Sequence, residues 1–376
     1  MRGQRKGTAG VVRYHKGGFP PTNIDWSELV PLIGKANGAV ARYDGLLQAI
    51  PNPGVLLSPL MTNEAVLSSR IEGTQATLNE VLTYEAQEKD KLTPQSPKDA
   101  DMQEISNYRR AMRFAEQKLE ELPLSQRIIK EAHAILLSGV RGQNKAVGEY
   151  RKIPNWVGPP GCTIDNARYV PPDANTLPDS ISTWEKYIHA EERDSLVQLA
   201  VVHAEFEALH PFLDGNGRLG RMIIPLFLYQ ARILRRPAFY ISAYLEAHRD
   251  VYYEKLLAVS RDKDWTGWCR FFLEAVQVQS EENLNKATKI LDLYNAMKSH
   301  LVEATGSKYA IHTLDWIFEN PIFSMSAFIP GANIPRPTAT RIAQRLAEAG
   351  TLNLLRPASG RSPAIMAFDA LLDIVA

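Results

Sequence analysis

His210-Pro-Phe-Leu-Asp-Gly-Asn-Gly-Arg-Leu-Gly-Arg221 gathers a base, a carboxylate, an amide, two arginines and a run of glycines into twelve residues. Upstream, Leu196, Leu199, Val202, His203, Phe206 and Leu209 recur at spacings of three and four. That period predicts a buried helix running into His210, which Pro211 helps to end. Downstream, Met222, Ile223, Leu226, Phe227, Tyr229 and Leu234 predict a second apolar helix. The glycine-bearing turn therefore sits at the N-terminus of that helix, where unpaired N–H groups and the helix dipole favour an anion. Gly215 and Gly217 let the backbone approach a phosphate without Cβ hindrance.

The side chains extend this reading. Arg218 and Arg221 lie three apart on the first helical turn, where two guanidinium forks could grip separate phosphates. Asp214 is suited to hold Mg2+, an ion usually bound by one or two carboxylates and phosphate oxygens. His210 is placed as a general base. The structural alternative is a helix–turn–helix corner capped by Asn216 with solvated arginines, and it leaves the combination of all these groups unexplained.

The stretch matches H-x-F-x-(D/E)-G-N-G-R-x-x-R at every specified position and so resembles the signature of Fic-domain proteins. The resemblance implies a mainly α fold, a helical core carrying a β-hairpin flap, and transfer of AMP from ATP to a Ser, Thr or Tyr hydroxyl of a target protein, itself included. It implies His210 as base, Asp214 on Mg2+, and Asn216 with the backbone of Gly215 and Gly217 at the α-phosphate. Arg218 and Arg221 would hold the β- and γ-phosphates, with Leu219 and Gly220 completing the nucleotide-binding turn and Phe212 fixing its shape. UMP transfer, or removal of AMP by the same site, stays open.

Composition sets limits. The chain has 376 residues, room for two or three domains, and 43 basic against 42 acidic residues, so no overall field points to nucleic acid or membrane. Only two cysteines, Cys162 and Cys269, occur, and they form no C-x-x-C pair, which argues for a reducing compartment and against structural zinc. The basic N-terminus lacks the apolar stretch of a signal peptide, and no apolar run reaches membrane length, so a cytoplasmic protein is expected.

Along the chain, residues 1 to about 25 read as an irregular arm, and helix begins near Trp26. A proline-rich break, Pro51 to Pro59, precedes one expected helix from Thr62 to Ala86. It carries Ser68-Ser-Arg-Ile-Glu72-Gly73, in which Ser68 and Glu72 share a face. By itself this pattern is weak. In Fic proteins, (S/T)-x-x-x-E-(G/N) is the autoinhibitory motif, and the resemblance implies that Glu72 pairs with Arg221 and takes the guanidinium needed by ATP. Self-association as a homodimer is one way to control such a helix.

Lys89 to Asp101 reads as a loop; Met102 to Glu121 and Leu124 to Leu137 read as helices. Ile153 to Pro172, with five prolines, reads as a strand pair with a long tip. This is either a plain surface hairpin or, by resemblance, the flap that aligns a target by strand addition. Tyr252, Tyr253 and Leu256 fall where the family's adenine pocket lies, with Ser260 replacing an asparagine that some members carry, though at helical spacing they also suit a core. The last seventy residues read as three short helices and a hairpin around Ser359-Gly360, the pattern of a winged helix. There Arg336, Arg341 and Arg345 would be available to DNA phosphates, and a DNA-binding regulator with a nucleotide-sensing core is the rival reading. The expected division is 1–115 with the inhibitory helix, 116–300 as catalytic core, and 305–376 as winged helix.

Overall fold

The computed structural model describes residues 10–87, 96–140, 142, 144–360 and 362–376. In chain order the elements are β1 (Val12–Arg13), α1 (Trp26–Ala49), α2 (Pro53–Leu56), α3 (Ser58–Ile71), α4 (Leu78–Gln87), α5 (Pro97–Leu119), α6 (Gln126–Leu136), β2 (Tyr169–Val170), α7 (Leu177–Ile188), α8 (Ser195–Leu209), α9 (Asn216–Gln230), α10 (Ser242–Ala247), α11 (Arg249–Asp262), α12 (Trp265–Thr305), α13 (Ala310–Glu319), β3 (Ile322–Ser324), α14 (Met325–Gly331), α15 (Arg336–Glu348), β4 (Asn353–Arg356), β5 (Ile365–Ala367) and α16 (Asp369–Val375). The chain is mainly α, as its periodicity implied.

α8 is buried around nearly its whole circumference, from Leu196 through Leu209, which marks it as the central helix. Asp194 caps it, accepting from the N–H groups of Leu196 and Val197 at 2.9 and 3.0 Å. Around it pack α1, α7, α9, α11 and α12. The 41-residue α12 supplies the longest wall, with Trp265, Trp268, Phe272 and Val276 buried on its inward stripe. Gly306, at φ 57, ends it in the left-handed conformation that glycine tolerates.

Several local expectations need correction. The helix expected over Thr62–Ala86 is two helices, because the chain leaves α3 at Glu72 and turns through Gly73 at φ 104. The N-terminal arm contains β1, which pairs in parallel with β2. Its His15 and Tyr14 reach Glu205 of α8 at 2.9 and 2.6 Å, and His15 Nδ1 lies 2.8 Å from the Ser260 hydroxyl. The loop expected over Lys89–Asp101 is helical from Pro97 onward, with Ser96 as N-cap; residues 88–95 lie outside the described residues. Between Ile153 and Pro172 the strand pair is reduced to one antiparallel bridge, Val157 to Tyr169. Its five prolines remove ladder donors, and β1 supplies the missing strand on the far side of β2.

At the C-terminal end, α13, α14 and α15 precede β4 and β5, and the three-stranded antiparallel sheet runs β3-β5-β4. This part packs on the N-terminal helices: β3 lies against α4, α13 against α2 and α3, and α16 against α3 and α12. Asn63 of α3 donates to the carbonyl of Val375 at 3.0 Å. The buried apolar residues of all these elements form one continuous cluster.

Candidate active site

α8 ends on His210, which adopts φ 45, ψ 59. A left-handed residue other than glycine stores about 1–2 kcal/mol of strain, so something must hold it. Arg151 does. Its Nε donates to the His210 carbonyl at 3.0 Å, its Nη2 to the carbonyls of Pro172 at 2.6 Å and Leu209 at 3.3 Å, and its backbone N–H to Pro211 at 2.9 Å. Asn155 adds a donor to the carbonyls of His210 and Phe212. The sequence reading passed over Arg151; its signal was a lone arginine at the head of a proline-rich segment full of unpaired carbonyls.

The turn that follows is closed by Asn216. Its Oδ1 accepts from the Phe212 N–H and its Nδ2 donates to the Phe212 carbonyl, both at 2.8 Å. Each contact uses one hydrogen-bonding position of the side-chain amide, and the residue's backbone N–H stands at the helix start. Gly215 is the N-cap of α9 at φ 76. Phe212 is fully buried and stacks on His133 at 3.8 Å between centroids. His133 donates through Nε2 to the Asp214 carbonyl and accepts the Gly148 N–H on Nδ1. Burial holds His133 down to about 4, so it is neutral.

A cavity of about 350 Å³ opens beside this turn. Its polar side is formed by His210, Glu72, Glu207, Arg221 and the backbone of Gly217, and its apolar side includes Tyr253, Leu256, Leu257, Ala204 and Val157. The size suits a small ligand. Tyr253 and Leu256 are therefore wall residues of this cavity. Tyr252 is not: it lies behind them, 1 % exposed, its hydroxyl donating to His203 Nε2 at 2.9 Å. His203 in turn donates from Nδ1 to the carbonyl of Gly220 at 3.1 Å. Leu219 packs in the core.

Arg221, 1 % exposed, is held on three counts. Its Nε donates to Ser68 Oγ at 2.8 Å, and its Nη2 donates to the Ser68 carbonyl at 2.8 Å and to Glu72 Oε1 at 2.7 Å. Gly217 makes room for that carboxylate; a Cβ there would collide with Glu72 Oε1. Burial alone would raise the Glu72 carboxyl, but Arg221 holds it below its ordinary value. His210 is pushed down to about 4 by burial, against the upward pull of Glu72. Glu207, another residue missed from sequence, keeps one carboxyl oxygen buried without a hydrogen-bond partner. Burial raises it to about 7, despite Arg221.

Arg218 does not line the cavity. It is buried with Glu104 of α5, Nη1 to Oε2 at 2.8 Å, each side chain 3 % exposed. Two arginines three apart in sequence thus point to different surroundings. Asp214 is also outside the cavity lining, with its Oδ2 3.0 Å from Lys145 Nζ and its Oδ1 accepting the Gly215 N–H. Against burial, Lys145 holds its carboxyl below the ordinary value. An ionised, partly exposed carboxylate that already draws an ammonium fits a cation ligand. No group of three or more His, Cys, Asp or Glu able to hold a metal occurs among the described residues, so an ion there would complete its shell with phosphate and water. No described helix is long and apolar enough to cross a membrane.

Comparison with known proteins shows the family and the fold. The model of the Fic/DOC family N-terminal region matches residues 30–117 and that of the Fic/DOC family matches 123–228, together more than half of the chain. A probable protein adenylyltransferase of Aquifex aeolicus (strain VF5) is 35 % identical over 89 residues, 22 % of this chain and 28 % of its own length. A protein adenylyltransferase Fic of Drosophila grimshawi is 25 % identical over 195 residues, 51 % of this chain and 34 % of its own. The chain thus spans about a third or less of the length of these curated relatives. Among solved structures, a Fic family protein from Desulfovibrio desulfuricans G20 superposes with a TM-score of 0.58 at 21 % identity, covering 93 % of this chain and 98 % of that one. A Fic domain-containing signaling protein from Bacteroides thetaiotaomicron VPI-5482 gives 0.53 at 16 % identity, covering 69 % and 97 %.

Proposed function

The chain belongs to the Fic/DOC family, and from that membership we propose that it is a protein adenylyltransferase that moves AMP from ATP to a Ser, Thr or Tyr hydroxyl of a target protein, itself included, and is held inactive by Glu72. The observation that carries this reading is the meeting of His210 and Arg221 at one cavity, with Arg221 already paired to Glu72 at 2.7 Å.

In this reading His210 takes the hydroxyl proton as the oxygen attacks the α-phosphorus. The bond from that phosphorus to the β-bridging oxygen breaks, and pyrophosphate leaves. The neutral imidazole suits that role, since its basic nitrogen is unprotonated at physiological pH. Backbone N–H groups at the start of α9 stabilise the charge that develops. Arg221, once freed, grips the terminal phosphates. Asp214 would hold Mg2+, which when bound would draw negative charge from the phosphoryl oxygens. No covalent intermediate with the protein is needed, because positioning and electrostatics carry the step. Glu72 orienting a water for removal of AMP uses the same site.

A second reading, a DNA-binding regulator with a nucleotide-sensing core, draws on the C-terminal helices and hairpin. Arg336 and Arg341 of α15 are exposed, but Arg345 donates to the Thr305 carbonyl at 2.8 Å, which leaves a narrower basic face than the sequence offered. A salt-dependent shift of duplex DNA would favour that reading.

The deciding experiment incubates wild type, Glu72→Gly and Glu72→Gly/His210→Ala with MgATP and measures intact mass. A gain of about 329 Da, one AMP moiety, in Glu72→Gly alone supports transfer, inhibition and the base together. Equal modification of the His210→Ala variant removes His210 as the base, and transfer by wild type as fast as by Glu72→Gly removes the lock.

A further inference from the structure

We propose that Glu207 of α8 is a further ligand of the nucleotide: its carboxyl enters the complex as the neutral acid and donates its hydroxyl to the phosphate that takes the place of Glu72, so that binding of ATP draws a proton from solvent. The proposal rests on the adenylyltransferase reading and deepens it.

Gly217 and Gly220 stand three residues apart on one face of α9, about 4.5 Å along its axis. Each leaves room for a carboxyl: a Cβ on Gly217 would collide with Glu72 Oε1, and a Cβ on Gly220 would collide with Glu207 Oε1. The two acids are therefore stacked about one helical turn apart along the same wall, and both line the cavity with Arg221. They differ in their partners. Glu72 holds Arg221 at 2.7 Å, whereas Glu207 Oε1 is buried with no hydrogen-bond partner. Glu207 as a whole is half-buried, so the side chain seals one oxygen and still belongs to the cavity wall. A phosphate that displaces Glu72 from Arg221 arrives beside it.

An ionised carboxylate in that place would repel the phosphate, whereas the acid offers it an O–H. The surroundings favour the acid. Arg221 of α9 pulls Glu207 toward ionisation and Glu72 opposes it, but burial outweighs both and raises the carboxyl to about 7. On α8, His210 and His203, which reaches the Gly220 carbonyl, are neutral, held down to about 4 and about 3 by burial. On α11, burial raises the hydroxyls of Tyr252 and Tyr253, so neither carries charge. The other cations of the wall are engaged elsewhere: Arg249 lies over the Tyr253 ring, and Arg168 of the proline-rich segment lies 3.9 Å from Glu254. With Glu72 gone, the unoccupied Arg221 shifts Glu207 toward the carboxylate. ATP, by taking that guanidinium, returns it to the acid, and the proton comes from solvent.

The test titrates the Glu72→Gly protein with MgATP calorimetrically at pH 7.5 in two buffers of different ionisation enthalpy, which counts the protons exchanged. An uptake of at least about half a proton is expected, and Glu72→Gly/Glu207→Gln should lose it. From pH 6.5 to pH 8.5 the affinity of the parent should fall at least about tenfold while that of the Gln variant stays within about twofold, so that at pH 8.5 the amide binds ATP more tightly. Glu72→Gly/Glu207→Leu, which keeps the bulk and offers no donor, should bind at least about fivefold more weakly than the Gln variant at every pH. The proton count on the parent decides the matter even where a Glu207 variant unfolds. Binding without uptake in the parent, an uptake that survives Glu207→Gln, or a Gln variant that binds no better than the Leu variant overturns the proposal while leaving ATP binding itself in place. If the Glu72→Gly parent binds no ATP at any pH, the nucleotide reading has failed and the proposal falls with it.

Discussion

Arg221 and Glu72 meet at 2.7 Å although 149 residues separate them, and the same guanidinium takes both the hydroxyl and the carbonyl of Ser68. The pair is unequal, since Arg221 is 1 % exposed at its side chain and Glu72 35 %. Water therefore reaches one partner only, and the contact opens from the Glu72 side.

Replacing Glu72 by glycine should raise AMP transfer at least about tenfold, because ATP then meets an unoccupied guanidinium. Ser68→Ala should give a smaller rise, since Glu72 still holds Nη2. Radiolabel incorporation from ATP measures both, and a larger effect from Ser68→Ala than from Glu72→Gly would contradict the assignment of the dominant contact.

His210 should stay neutral far below the ordinary histidine range. Burial holds it near 4, and the Glu72 carboxylate is what pulls it upward, so Glu72→Gly should lower it further. Ring-proton NMR from pH 8 to pH 4.5 should show no His210 titration. Because the folded value is depressed, the stability lost to this group appears as pH falls from about 6.5, where the unfolded histidine begins to bind a proton.

Glu207 behaves in the opposite sense. Its carboxyl is raised to about 7, so the folded protein binds this proton more tightly than the unfolded chain does. Stability from this group is present below about pH 4.5 and is lost as pH rises through 7. Glu207→Gln removes that loss, and at pH 8 it should be more stable than wild type by about 2 kcal/mol. Urea unfolding at pH 5 and pH 8 checks the sign.

Arg151→Ala should lower both stability and transfer. Several buried carbonyls lose a charged donor, at about 3 kcal/mol in total, and His210 loses what holds it left-handed. Arg151→Lys should recover only part of this, because an ammonium lacks the planar fork that reaches Leu209, His210 and Pro172 together. Thermal unfolding and transfer rate are the measurements.

Tyr253→Ala should weaken ATP binding about tenfold, whereas Tyr252→Phe should leave it unchanged and remove about 1 kcal/mol of stability with the bond to His203. Calorimetric titration with MgATP separates the two adjacent tyrosines.

The sequence announced the helical core because α8 and α9 are apolar at helical period, and it announced the site because His210, Asp214 and Arg221 are unusual neighbours. Glu72 was legible only through the motif it shares with a family. What stayed hidden was the destination of side chains whose types were ambiguous. Arg218 and Arg221 look alike in sequence, yet one turns to Glu104 and the other to Ser68, a choice made by helices far away in the chain. Asn216 has the donors of an anion ligand, and the short distance back to Phe212 takes one of them together with the amide oxygen. The split of the predicted 62–86 helix was signalled by Gly73 alone, since the apolar period continues past it. The arm's strand escaped detection because two paired residues leave no alternation to read.

The bond from Asn63 to the Val375 carbonyl ties α3 to the last helix of the chain, and Lys286 of α12 reaches the same carbonyl at 2.8 Å. A rod pinned in this way does not slide along its own axis. Its free end is the Glu72-Gly73 corner, where the backbone already stands in a conformation that only glycine adopts easily. Withdrawal of the carboxylate is therefore a wrist movement rather than an arm movement: a few dihedral angles turn while the helix behind them stays in place.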